Sequence, residues 1–190
     1  MRYKNIGSVR AVVLSLLSLL IGVPILVCGG DDLLEFWPHR AEIHHLLQTA
    51  DPQDRLPPEL VRHLIDASHR DGDIDWIVAR DLLVRFVPAS SLNGLSWHAR
   101  GALWTLFVRF HLSRDEIYGL YCALAFNGHG YGTNALATRI YSKPLSQLSR
   151  LESATVIIML RSPSLYVNHT FEPQRLDAQA WRLLGMMKRE

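Results

Sequence analysis

Titratable side chains crowd one short stretch of this chain. Asp66, His69, Asp71, Asp73 and Asp75 fall between positions 66 and 75, with Ser68 among them. Carboxylates and an imidazole are the groups that take a proton from an attacking hydroxyl in general base catalysis. Further along, His98, Arg100, Arg109 and Lys143 could meet an anionic group. Each residue also has a plainer reading: solvated loop carboxylates, an exposed helix histidine, surface charges. Gly128, Gly130 and Gly132 lack the Lys-Ser/Thr ending and the preceding strand of a phosphate-cradling loop. They read instead as a turn before a helix, with glycine supplying positive φ or close approach.

The elements that must position these residues all have helical periodicity. Pro58 suits the start of a helix whose apolar face is Leu60, Val61, Leu64 and Ile65. Residues 77–86 give a second amphipathic helix, with Ile77, Leu82, Leu83 and Phe86 apolar. Residues 96–111 give a third, capped by Ser96, with Leu103, Trp104, Phe107 and Phe110 on one broad face. Core packing is the first reading of that face, and membrane contact by Trp97 and Trp104 the second. Ser113, followed by Asp115 and Glu116, starts the next helix. A Lys143-Pro144 break precedes a helix signal over 149–160, of which 151–160 is apolar almost all round and expected to be the central buried helix. Residues 176–187 place Trp181, Leu184 and Met187 at core spacing. The expected class is all-α.

Composition sets the frame. The chain has 190 residues, 48% apolar, and a net charge of +2, too small to argue for nucleic acid. Two cysteines, Cys28 and Cys122, make no disulfide framework. Adjacent His44 and His45 point about 100° apart on a helix and cannot both face one metal, even with His39 nearby. Residues 11–28 carry no charge and would span about 27 Å as a helix. Arg2, Lys4 and Arg10 precede them; Asp31, Asp32 and Glu35 follow. That asymmetry predicts a single-pass anchor in the cytoplasmic (inner) membrane, with the remainder periplasmic or extracellular. A cleaved signal peptide and a lipoprotein signal ending at Cys28 are the alternatives.

The stretch 112–166 carries a resemblance. Leu112, Ser113, Asp115, Glu116, Ile117 and Tyr121 lead to the three glycines. Ala135, Ala137, Tyr141, Lys143, Leu148, Glu152 and Ala154 follow, then Pro163, Ser164 and Tyr166. In order and spacing this resembles the second half of a peptidoglycan glycosyltransferase domain, glycosyltransferase family 51. After an anchor (1–30) and a linker with a short helix (31–55), both read from hydropathy and charge, the resemblance covers a transglycosylase-like domain (56–190). It implies a lysozyme-like fold, with the family's membrane-dipping jaw cut to a short loop near residues 88–94. It also implies polymerisation of lipid-linked disaccharide, with two glutamates at work, basic residues assisting the leaving pyrophosphate, and a divalent metal as possible cofactor.

The first half departs from that pattern. The first family glutamate falls on Ser68, with His69 at the next position. The second falls on Gly101, or on Leu103 in a shifted register. No glutamate occurs between residues 60 and 115 in any register. An alternative register lays the family's S-T-I-T-Q-Q-L motif on residues 77–86, without its glutamines. The expectation is a degenerate member, a pseudoenzyme that binds glycan, lipid-linked precursor or a cell-wall synthesis partner, with His98, Arg100 and Lys143 as candidate substrate contacts. The alternatives are a working enzyme using Asp71, Asp73 or His69 as base, and a scaffold.

Overall fold

The computed structural model describes residues 30, 32–69, 74–88, 94–163 and 173–187. The apolar segment 11–28, Asp71 and Asp73, and Tyr166 lie outside them. Among the described residues no helix is long and apolar enough to cross a membrane. The chain divides into two compact units, residues 1–40 and 41–190. In the first, a π-helical turn Asp32–Phe36 runs into a 3₁₀ turn Trp37–His39, with Pro38 at its start. The Arg40 guanidinium lies 4.9 Å from the centre of the Trp37 ring, within cation–π range.

The second unit is helical. Its helices are α1 (Arg40–Thr49), α2 (Pro52–Arg55), α3 (Glu59–Ser68), α4 (Ile74–Phe86), α5 (Gly94–His111), α6 (Arg114–Leu124), α7 (Thr133–Tyr141), α8 (Arg150–Arg161) and α9 (Pro173–Met187). Among the described residues there is no strand, only one isolated antiparallel bridge between Phe126 and Tyr131. The all-α expectation holds.

Local sequence explains the sharpest boundaries. Ser113 and Ser149 each open a helix with a complete capping box. Their hydroxyls accept from the backbone N–H of Glu116 and Glu152, and those carboxylates accept in return from the serine N–H at 2.8 and 2.6 Å. Each cap is worth about 1 kcal/mol. From Ser153 to Ile158 every residue of α8 is buried. It packs on α3, α7 and α9, and is the central helix that its all-round apolar sequence predicts.

Three boundaries and faces differ from the sequence reading. Helix α4 starts at Ile74 rather than 77, and α5 at Gly94, ahead of Ser96. On α5 the core face is Gly101, Trp104, Phe107 and Val108, while Phe110 is 75% exposed. At 100° per residue Phe110 lies about 120° from Trp104, off the contact with α4. Trp104 is fully buried and packs near Phe86, so it is a core residue and offers nothing to a membrane. On α9 the buried residues are Ala180, Leu183 and Leu184, and Trp181 stands out at 61% exposure.

One glycine permits a close approach of two helices here. A Cβ on Gly119 would lie 2.6 Å from the Arg55 carbonyl oxygen, so only glycine lets α2 settle on α6. Ion pairs then tie α3, α4, α5 and α6 together. Nearly buried Asp75 accepts from Arg109 Nε and Arg114 Nη1, both at 2.7 Å. Asp66 accepts from the Tyr118 hydroxyl at 2.5 Å. Two of the aspartates that could have done chemistry are thus engaged in holding helices, and Arg109 with them.

Candidate functional site

A cleft of about 740 Å³ among the described residues opens between α4, the ends of α6 and α8, and the turn after α6. Its floor carries His69, from the turn closing α3, and Tyr121 of α6. His69 Nε2 lies 2.8 Å from the Tyr121 hydroxyl, and the two rings meet edge to face at 5.4 Å. Its walls present Arg80, Asp81 and Arg85 from α4 and Arg161 from the end of α8. These α4 positions share one side because 80, 81, 84 and 85 repeat at helical spacing, opposite the buried Val78, Ala79, Leu82 and Leu83.

Electrostatics follow from burial and neighbours. Burial lowers the His69 imidazole below its usual value, and the positive charge of Arg161 lowers it further, against a smaller opposing pull from Asp66. Burial also raises the Asp81 carboxyl, opposed by Arg80, whose Nε and Nη2 donate to Oδ1 at 3.1 and 3.0 Å. The Tyr121 hydroxyl is pushed far above its ordinary range by burial. The cleft therefore presents three guanidinium groups, a neutral imidazole and one carboxylate that is poorly solvated when charged. It suits hydroxyl-rich or anionic groups and a proton acceptor at Asp81.

A second cavity of about 540 Å³ lies behind the turn and includes Asp54, Asn134 and Arg139. Asp54 is 3% exposed, and its Oδ1 accepts from the Asn134 N–H at 2.7 Å. It caps α7 from outside, since the residue before that helix, Gly132, has no side chain to do so. Gly132 has φ +102°, and a Cβ there would lie 2.8 Å from Asp54 Oδ2. Burial pushes the Asp54 carboxyl up to about 7, against the lowering effect of the Asn134 N–H.

The positions laid on the family glutamates face elsewhere. Ser68 is buried and its hydroxyl donates to the Ile65 carbonyl of its own helix at 2.8 Å. At Gly101 a Cβ would lie 2.5 Å from the Trp76 ring, so that ring fills the space a side chain would need. His69 lines the cleft; His98, Arg100 and Lys143 do not. His98 is exposed and Arg100 half-exposed on α5, and Lys143 Nζ pairs with Glu152 Oε1 at 2.7 Å.

Arg80, Asp81 and Arg161 were not singled out by sequence, although the polar stripe on α4 was there to be found. The cleft's donor set does not suit a divalent cation. Among the described lining residues its only carboxylate, Asp81, is held by Arg80 in a cationic surround.

Comparison with known proteins agrees with the resemblance. A family model described as Transglycosylase matches residues 83–188, more than half of the chain. An uncharacterized protein, YfeL of Salmonella typhimurium, is 28% identical over 79 residues, covering 38% of this chain and 44% of that protein. The chain thus spans less than half the length of that curated relative. The match begins inside α4, takes in the capped helices α6 and α8 and the glycine turn, and includes most of the cleft's lining. The chain belongs to the transglycosylase family.

Proposed function

We propose that this protein is a membrane-anchored, transglycosylase-like protein of peptidoglycan biosynthesis. Its catalysis is impaired, and its cleft binds glycan or lipid-linked precursor. One observation carries this reading: Ser68 and Gly101, the positions laid on the family glutamates, face packed protein and do not line the cation-walled cleft of about 740 Å³. That volume lies within the range of small-molecule sites. The guanidinium groups of Arg80, Arg85 and Arg161 supply charge for a pyrophosphate, and His69 and Tyr121 supply hydrogen-bonding groups for sugar hydroxyls. The lysozyme-like arrangement with a shortened jaw belongs to the same reading. So does anchoring through residues 11–28 in the cytoplasmic membrane, with the domain outside.

Polymerisation needs a base for the acceptor hydroxyl, and such a base contributes about 10²- to 10⁴-fold. Asp81 supports a second reading, a working enzyme with a displaced carboxylate, because it lines the cleft and burial raises its affinity for a proton. There the acceptor hydroxyl would give its proton to Asp81 as its oxygen attacks the anomeric carbon and lipid pyrophosphate departs. Full-length protein in detergent, given labelled lipid-linked disaccharide, separates the two. Retention of the label without glycan strands fits the impaired reading. Strands that Asp81→Asn abolishes fit the second. Neither retention nor strands, in folded protein, leaves scaffolding.

A further inference from the structure

Phe126 and Tyr131 form an aromatic pair that neither the core nor the proton chemistry uses. They face each other across the isolated bridge, with ring centres 5.8 Å apart and planes at 65°. Phe126 is 49% exposed and Tyr131 66%. Both line the main cleft, and Tyr131 also lines the second cavity, so it forms the ridge between them.

The turn beneath them is braced. Buried Asn127 donates from Nδ2 to the Gly132 carbonyl at 3.0 Å and from its backbone N–H to the Gly130 carbonyl at 2.8 Å. Its Oδ1 accepts from the His129 N–H, and Arg139 Nη2 donates to its carbonyl oxygen at 2.9 Å. Gly128 takes φ +89° to close the loop. Exposed rings on a braced turn lose little freedom when a ligand lies on them.

A ring face is electron-rich and attracts C–H groups of partial positive charge. One face of a pyranose ring is made of such C–H groups, while its hydroxyls project from the edge. A sugar lying on Phe126 or Tyr131 would turn those hydroxyls toward Arg80, Asp81 and Arg161 across the cleft. We infer that Phe126 and Tyr131 form a stacking subsite for a pyranose ring of a glycan strand, independent of lipid and pyrophosphate. This rests on the glycan-binding reading above and names the residues that would select for sugar.

The test is calorimetric titration of the full-length protein in detergent with an N-acetylglucosamine tetramer, a glycan carrying neither lipid nor phosphate. The Phe126→Ala/Tyr131→Ala double variant should bind at least tenfold more weakly with its melting temperature unchanged. Phe126→Tyr and Tyr131→Phe, which keep the rings, should stay within twofold. If the double variant does not fold, Phe126→Leu/Tyr131→Leu decides, because it keeps apolar bulk and loses both ring faces; undiminished affinity in that variant overturns the subsite. Equal affinity in a folded double variant overturns it too. Labelled lipid-linked disaccharide runs in parallel. Wild type that retains it but ignores the tetramer overturns the subsite and leaves the glycan-binding reading standing. Wild type that binds neither overturns both.

Discussion

Asp54 and Asp81 each line a cavity and each is pushed toward its neutral form by burial, but their partners differ. Asp54 points its oxygens at a helix N-terminus and accepts from the Asn134 N–H. Asp81 is held sideways by Arg80, its neighbour in sequence, and its side chain keeps 32% exposure at the mouth of the larger cleft. Burial alone therefore does not mark a functional carboxylate. What distinguishes them is whether the oxygens are consumed by the backbone or left facing a space that a ligand could fill.

The contrast is sharpest in pH dependence. Asp54 has its folded value raised to about 7 from an unfolded value near 3.8. Its contribution to stability is fully present below about 4 and is lost as pH rises through about 7. The loss is on the order of a few kcal/mol at 1.36 kcal/mol per unit. Thermal melts between pH 5 and 8 should show wild type losing stability, Asp54→Asn much flatter, and Asp81→Asn, whose carboxyl is raised too but keeps more solvent, falling more steeply than Asp54→Asn. Equal slopes in all three would remove the distinction.

Gly132→Ala attacks the same cap from the other side. It forces a Cβ against Asp54 Oδ2 at a backbone angle that L residues rarely adopt. Urea unfolding should register a loss of about 2–3 kcal/mol. A loss under about 0.5 kcal/mol, the level of ordinary surface changes, would mean the close approach is relieved cheaply.

Ser149→Ala should cost about 1 kcal/mol in the same assay and leave ligand binding in the cleft alone, since it removes only a helix cap. Arg161→Gln should cost less stability still, but it removes a charge that holds His69 below its usual value. The imidazole titration, followed by NMR, should move up in that variant; an unmoved curve would detach Arg161 from the cleft's electrostatics.

The two halves of the domain were unequally legible, for physical reasons. Capping boxes and an all-apolar helix are local signals, so Ser113, Ser149 and the burial of α8 could be read directly. So could the glycine turn, because Gly128 and Gly132 take the positive φ that their type allows. The cleft depends on tertiary meeting of α4, α6 and α8, and sequence spacing carries no record of that. Asp66 and Asp75 are candidate acids by residue type alone, and what engages them, Tyr118, Arg109 and Arg114, lies 34 to 52 residues away in sequence. Asp81 sits on the polar side of an amphipathic helix, where a carboxylate is ordinarily a solvated surface charge. Phe110 and Trp181 were misplaced by simple periodicity, which gives a stripe but not which edge of it meets a neighbour.

The most direct measurement is retention of labelled lipid-linked disaccharide by the full-length protein in detergent, with glycan strands read on a gel from the same sample. Bound label without strands, weakened when Arg80 and Arg161 are both changed to Gln, is the predicted result. Strands at a rate near that of an active family member would contradict impaired catalysis. Absence of bound label in folded protein would contradict a precursor-binding cleft.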